Sequence, residues 1–223
     1  MMIITTAIFD MDGLLIDSEP LWHESVHEAL EEWNVSMSEE EYASSIGLRT
    51  HEFLHYWLPR MGLNLDLLPE VEKEVTRLVR TKIEQRGEVL PGVHETLGLL
   101  RERGLRIGLA TSSPVSVIKS VLNRTGLHGV FEQMNSAEML PHGKPHPQVY
   151  LDCAAAMNVP PVQCLCFEDS FYGLIAAKSA RMHCVVVPAP HVVHWGKWQA
   201  ADLVLNSLTE FTSGSLDRLM DQV

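Results

Sequence analysis

The stretch Ala7-Ile8-Phe9-Asp10-Met11-Asp12-Gly13 decides the fold. The chain from residue 3 to residue 9 is largely apolar, then breaks into two aspartates one residue apart and a glycine. That pattern predicts a buried strand opening onto paired carboxylates at the carboxyl edge of a sheet, where open α/β folds bind their ligands. Two acids so close ionise together only at a cost, unless a cation or a division of labour relieves them. A calcium loop can also carry Asp-x-Asp-Gly, but no further acidic residue follows here at calcium-loop spacing.

Two more apolar runs end in the same abrupt way. Residues 105–110 lead into Thr111-Ser112-Ser113, after which Pro114 opens a helical pattern, and residues 164–167 lead into Glu168-Asp169-Ser170. Between them Lys144 stands in Gly143-Lys144-Pro145-His146-Pro147. From residue 93 onward the periodicity predicts helices over 93–103, 114–125, 147–157 and 171–180. It predicts strands over 106–110, 131–135, 164–167, 184–188 and 202–205. Strands alternating with helices imply an α/β protein with a mainly parallel, doubly wound, Rossmann-like sheet.

Residues 18–88 read differently. The pattern is helical throughout: Leu21, Val26, Ala29, Leu30 and Trp33 fall near one face, as do Leu54, Trp57 and Leu58, and again Val71, Val75, Leu78 and Val79. Ser18 is placed to cap a helix with Pro20 in its first turn. The expectation is a catalytic core of residues 1–17 and 89–223 with a helical cap domain, 18–88, inserted after the first strand.

A formal charge of -12 over 223 residues, with no basic run, speaks against nucleic acid as a partner. No segment is apolar for long enough to span a bilayer, so no membrane partner is expected. The chain enters a strand at once, without the charged start, apolar stretch and small-residue site of a signal peptide, which makes the cytoplasm the expected location. Cys153, Cys164, Cys166 and Cys184 read as small buried hydrophobes in a reducing compartment. The pairs His23/His27 and His51/His55 have the spacing of a helical metal site, but no third ligand accompanies either.

Taken in order, acid pair, hydroxyl, lysine and acid pair resemble the motifs of the haloacid dehalogenase-like hydrolases. Within that family the chain looks like the branch that holds β-phosphoglucomutase and the small sugar-phosphate phosphatases. The resemblance runs over nearly the whole chain and is densest in residues 7–22, 108–114, 144–155 and 167–182. It implies that Asp10 is a nucleophile forming an aspartyl phosphate, and that Asp12 is first the general acid and then the general base. It implies that Thr111, Ser112, Gly13 and Lys144 hold the phosphate, with Lys144 neutralising charge. It also implies a Mg²⁺ ion on Asp10, Asp12 (through its main-chain carbonyl) and Asp169. Glu168 is expected either at the ion or hydrogen-bonded to the lysine. So acidic a chain must supply positive charge locally to handle phosphate, which agrees with a metal and a placed lysine.

In the helical block, Ile46-Gly47-Leu48-Arg49 resembles the family's specificity loop, which makes Gly47 and Arg49 candidates for touching substrate. Trp22 stands twelve positions past Asp10, where related mutases carry a histidine that helps time proton transfer, and this departure favours hydrolysis. The implied partner is a small phosphorylated metabolite, a sugar or sugar-alcohol phosphate such as 2-deoxyglucose 6-phosphate or a hexitol phosphate, acted on by a monomer. The competing expectations are a hexose-phosphate mutase and a non-catalytic sugar-phosphate sensor. A sensor would be free to lose Asp10, Asp12, Lys144 or Asp169, and none is lost.

Overall fold

A computed structural model describes residues 4–221. The apolar run forms β1 (Thr6–Phe9), every residue of it buried. Ile3, expected in this strand, lies outside the described residues. The chain continues through α1 (Glu19–Leu30), α2 (Glu39–Ala43), α3 (Thr50–Arg60), α4 (Leu68–Arg86), α5 (Val93–Glu102), β2 (Arg106–Thr111), α6 (Val115–Thr125) and β3 (Gln133–Ser136). It finishes with α7 (Gln148–Ala156), β4 (Cys164–Glu168), α8 (Phe171–Ser179), β5 (His183–Val186), β6 (Leu203–Val204) and α9 (Ser213–Asp221).

All six strands lie parallel in the order β3-β2-β1-β4-β5-β6. Phe9 pairs with Leu109 on one side and Phe167 on the other. The residues that follow these three strands therefore converge at one edge. The order reverses between β1 and β4, and a parallel sheet leaves its ligand crevice at such a switch point.

Strand alternation divides the core. Ala7, Phe9, Leu109 and Phe167 face a cluster that includes Leu97 of α5, Val117 of α6 and Leu216 of α9. Ile8, Ala110, Cys166 and Val186 face Tyr150 of α7 and Leu174 of α8. Stacked rings of Phe9 and Phe167, 4.4 Å between centroids, tie β1 to β4 beneath the edge. All four cysteines are buried and unpaired.

Helices α1 to α4 separate β1 from α5, and no described residue among them forms a strand. Their buried side chains include those of the sequence pattern: Leu21, Val26, Ala29 and Leu30 in α1, Leu54, Trp57 and Leu58 in α3, and Val71, Val75, Leu78 and Val79 in α4. Trp33, expected on the first of these faces, falls instead in the short turn Glu31–Trp33 after α1 ends, where it is half-buried against the core. The two connections that enter and leave this block lie side by side: Asp17 N–H donates to Glu88 O at 2.9 Å, and Leu90 N–H to Leu15 O at 3.2 Å. α4 packs on α1, and on α6 of the sheet-bearing part. α9 has no counterpart among the expected elements; it buries Ser215, Leu216 and Leu219 after an opening of Ser and Gly that gives little helical signal.

Candidate active site

Asp10 leaves β1 with its main-chain N–H still donated to Phe167 O at 2.9 Å, so strand pairing fixes its position. Lys144 is fully buried and sits between two carboxylates, with Nζ 2.9 Å from Asp10 Oδ1 and 2.6 Å from Glu168 Oε1. Burial works to strip Lys144 of its proton, but Asp10 and Glu168 outweigh it and raise its pKa. Glu168 is also bonded by the Tyr150 hydroxyl and, at 3.1 Å, by Ser170 Oγ. Both of its oxygens are therefore occupied.

The Asp12 carboxylate accepts three hydrogen bonds. Ser18 Oγ (2.6 Å) and Trp22 Nε1 (2.8 Å) donate to Oδ1, and Ser113 Oγ (2.6 Å) donates to Oδ2. Three donors from three directions leave one orientation. Ser18 stands at the N-cap of α1, as expected, yet makes no side-chain cap bond, because its hydroxyl is given to Asp12. The hydroxyl run after β2 is likewise no simple cap. Ser113 Oγ bonds Asp12, Thr111 Oγ1 accepts from Ser113 N–H at 3.1 Å, and Ser112 Oγ donates to Gly47 O at 2.8 Å.

Asp10, Glu168 and Asp169 each present an oxygen within 4.8 Å of the others. Asp10 Oδ1 is buried and, apart from its ion pair with Lys144, has no hydrogen-bond partner. Burial, opposed by Lys144 and reinforced by Glu168, raises the Asp10 pKa to about 7. Burial and then Asp10 push Asp169 up as well. Gly13 adopts φ +67°, and a side chain there would collide with the Asp169 carboxylate. A cradle of crowded, partly unsatisfied carboxylate oxygens suits a hard dication such as Mg²⁺.

Across a cavity of about 70 Å³ the wall comes from α1, α2, α3 and the loop before α3. It carries Glu19, Trp22, Val26, Tyr42, Leu48 and Phe53, and faces Asp10, Asp12, Thr111, Ser112, Ser113 and Asp169. Glu19 is the group that sequence reasoning missed. Its Oε2 lies 3.5 Å from the Tyr42 hydroxyl, and burial, with Asp12 and then Asp10 adding to it, pushes its pKa up to about 8. Its place at the first position of α1, next to Ser18, was a usable signal. Tyr42 left none, since its five-residue helix is set by the Ser38–Glu41 capping box and not by an apolar period.

Gly47 reaches the cavity, with φ +93° and no room for a side chain against Ser170. Arg49, expected to reach a substrate oxygen, is placed differently. It is buried, does not line the cavity, and donates to Ala137 O (2.8 Å), Leu140 O (2.6 Å) and Glu52 Oε1 (2.7 Å). Glu52 in turn accepts Gly143 N–H at 2.8 Å, next to Lys144. The structure thus brings Asp10, Asp12, Gly13, Gly47, Thr111, Ser112, Lys144, Glu168 and Asp169 to one edge and leaves Arg49 behind it.

The profile of the family described as "Haloacid dehalogenase-like hydrolase" matches residues 7–187. The chain belongs to that family. Among its relatives is hexitol phosphatase B of Escherichia coli (strain K12), 43% identical over 214 residues, which cover 96% of each chain. The fold is shared with CbbY from Rhodobacter sphaeroides, at TM-score 0.86 and 23% identity over 96% of this chain and all of that one. It is shared too with β-phosphoglucomutase from Clostridium difficile, at TM-score 0.85 and 22% identity over 99% and 98%. Identities that low speak for the fold alone.

Proposed function

We propose that this protein is a phosphatase of small sugar and sugar-alcohol phosphates working through an aspartyl phosphate. The similarity to hexitol phosphatase B supports the substrate class. The observation that carries the chemistry is the pairing of two differently held aspartates: Asp10, backed by buried Lys144, and Asp12, aimed by three donors.

Asp10 attacks phosphorus, and the bond from phosphorus to the sugar oxygen breaks. Asp12 gives its proton to that oxygen, so the sugar leaves as a neutral alcohol. Water then takes its place, Asp12 removes a proton from it, the new P–O bond forms, and the Asp10–phosphorus bond breaks to release inorganic phosphate. Lys144 offsets the charge on Asp10 and on the phosphoryl group. Thr111 and the Ser112 amide hold phosphoryl oxygens. Asp10, Asp169 and the Asp12 carbonyl would hold Mg²⁺, while Glu168, with its oxygens committed to Lys144, Tyr150 and Ser170, orients the lysine. When bound, Mg²⁺ supplies charge neutralisation between the nucleophile and the phosphoryl oxygens.

The Trp22 indole favours hydrolysis over mutase chemistry. Its N–H holds Asp12 and carries no nitrogen that titrates near neutrality, so it cannot gate Asp12 as a histidine would. Among the described residues no helix is long and apolar enough to cross a membrane, and we take the enzyme to act as a cytoplasmic monomer. Phosphate release from 2-deoxyglucose 6-phosphate and hexitol phosphates, with and without chelator, tests the reading. Asp10→Asn should abolish multi-turnover release while leaving the fold intact, and chelator should silence the wild type. Near-wild-type turnover by Asp10→Asn would remove the nucleophile from the account.

A further inference from the structure

The wall that meets the body of the substrate contains no cation. Among the described residues lining the cavity there is no lysine, arginine or histidine, and the ionisable group on the α1 side is the Glu19 carboxyl. Lys144 lies at the phosphate end, behind Asp10 and paired with it and with Glu168. Arg49 follows the lining residue Leu48 directly, but its guanidinium is held on the far side by two carbonyls and Glu52. Turning it inward would break those bonds and strand Glu52. The N-terminus of α3 touches the cavity at Thr50, and Glu52 in its first turn already supplies the anion that such an end attracts.

The rest of the wall is uncharged: Trp22, Val26, Leu48 and Phe53 give it apolar and aromatic surface, and Ser45 and Thr50 add hydroxyls. A sugar can lay its carbon face on such surfaces and give a hydroxyl to Glu19 or Tyr42, whose polar ends meet at 3.5 Å. A second phosphate, or a carboxylate, would be stripped of water beside Glu19 with no counter-charge. An anion buried without a counter-charge is strongly disfavoured against a neutral tail of the same size.

We infer that the cavity sorts substrates by the charge of their tail: it accepts phosphomonoesters whose remaining body is uncharged and excludes bisphosphates and phosphosugar acids, because no cation on the lining faces that tail. The inference rests on the phosphatase reading above and adds the charge rule to it. A mutase working through a sugar bisphosphate would need the opposite wall.

The test compares kcat/KM for matched pairs: glucose 6-phosphate against 6-phosphogluconate and glucose 1,6-bisphosphate, and fructose 6-phosphate against fructose 1,6-bisphosphate. The doubly anionic member of each pair should fall at least ~100-fold below its neutral-tailed partner. Leu48→Lys places on the facing wall the cation that the lining lacks. It should raise the 6-phosphogluconate to glucose 6-phosphate ratio by about tenfold, while neutral substrates lose ground through KM more than through kcat. Matched pairs within about threefold of each other would overturn the charge rule and leave the phosphatase reading standing. A ratio unmoved by Leu48→Lys would overturn the role given to the missing cation. If no sugar phosphate is turned over, the phosphatase reading fails, and ligand-induced shifts in Tm then decide the charge rule. Stabilisation by glucose 6-phosphate but not by glucose 1,6-bisphosphate upholds it, and equal stabilisation by both defeats it.

Discussion

The two walls of the cavity are built on different principles. The strand-end wall is held by neighbours on every side: Asp12 has three donors, Glu168 has Lys144, Tyr150 and Ser170, and Lys144 has two carboxylates. The wall from α1, α2 and α3 pairs Glu19 with Tyr42 at the edge of hydrogen-bond range, among largely apolar side chains. A wall that performs bond-breaking needs groups fixed to within a fraction of an ångström, and a parallel sheet supplies that rigidity. A wall that chooses the substrate can be carried on short helices and loops, where it changes without disturbing the chemistry.

Loss on the strand-end wall should therefore appear in kcat. Asp12→Ala should lower kcat by about 10²–10⁴-fold with little change in KM, since positioned acid-base catalysis is worth that much. Steady-state kinetics on a hexitol phosphate checks it, and a loss confined to KM would make Asp12 a binding residue and collapse the contrast between the walls.

The strand-end wall, with the Glu19 that faces it, should govern how stability depends on pH. Asp10 (about 7), Glu19 (about 8) and Asp169 all have pKa values raised by burial, with neighbouring carboxylates adding to it. An acid whose pKa is higher folded than unfolded binds more protons in the folded state, so stability is lost as pH rises from the unfolded value, about 4, through the folded one. With chelator present, Tm should fall between about pH 5 and pH 8. Mg²⁺ should flatten that slope, stabilising far more at pH 8 than at pH 5.5. Thermal melts at the two pH values measure this directly, and a metal effect independent of pH would mean that the carboxylates do not share an ion.

The smallest effect should come from the facing wall. Tyr42→Phe removes one hydrogen bond to Glu19 and keeps the ring, so KM for a sugar phosphate should rise by roughly 2- to 10-fold with kcat nearly unchanged. A large fall in kcat would show that this wall also takes part in chemistry.

The difference between the walls also explains what could be read from the sequence. Apolar runs ending in Asp10, Thr111 and Glu168 announced strand ends, because a parallel strand buried on both faces shows as a continuous apolar run. Lys144 could be identified only by its order between motifs, since a glycine-lysine-proline turn is otherwise a solvated loop. Ser113 and Tyr150 were silent: hydroxyls are common, and which carboxylate they reach is decided by register and helix packing. Arg49 marks the limit of motif reading, because the loop it sits on reaches the cavity through Gly47, while its own side chain turns to the carbonyls of Ala137 and Leu140. Glu19 could be placed beside Ser18 at the start of a helix, but its raised pKa could not be read, because it depends on burial that only the packed α1 and α2 create.

The most direct test of the account is the fate of the phosphoryl group in Asp12→Ala with p-nitrophenyl phosphate and Mg²⁺. Nitrophenolate is a good enough leaving group to depart without an acid, whereas the second step still needs Asp12 to activate water. A burst of about one equivalent of nitrophenolate should precede very slow phosphate release, and acid-quenched peptide mapping should find the phosphoryl group on Asp10. No burst, with nitrophenolate and phosphate released together, or a phosphoryl group on any other residue, would contradict it.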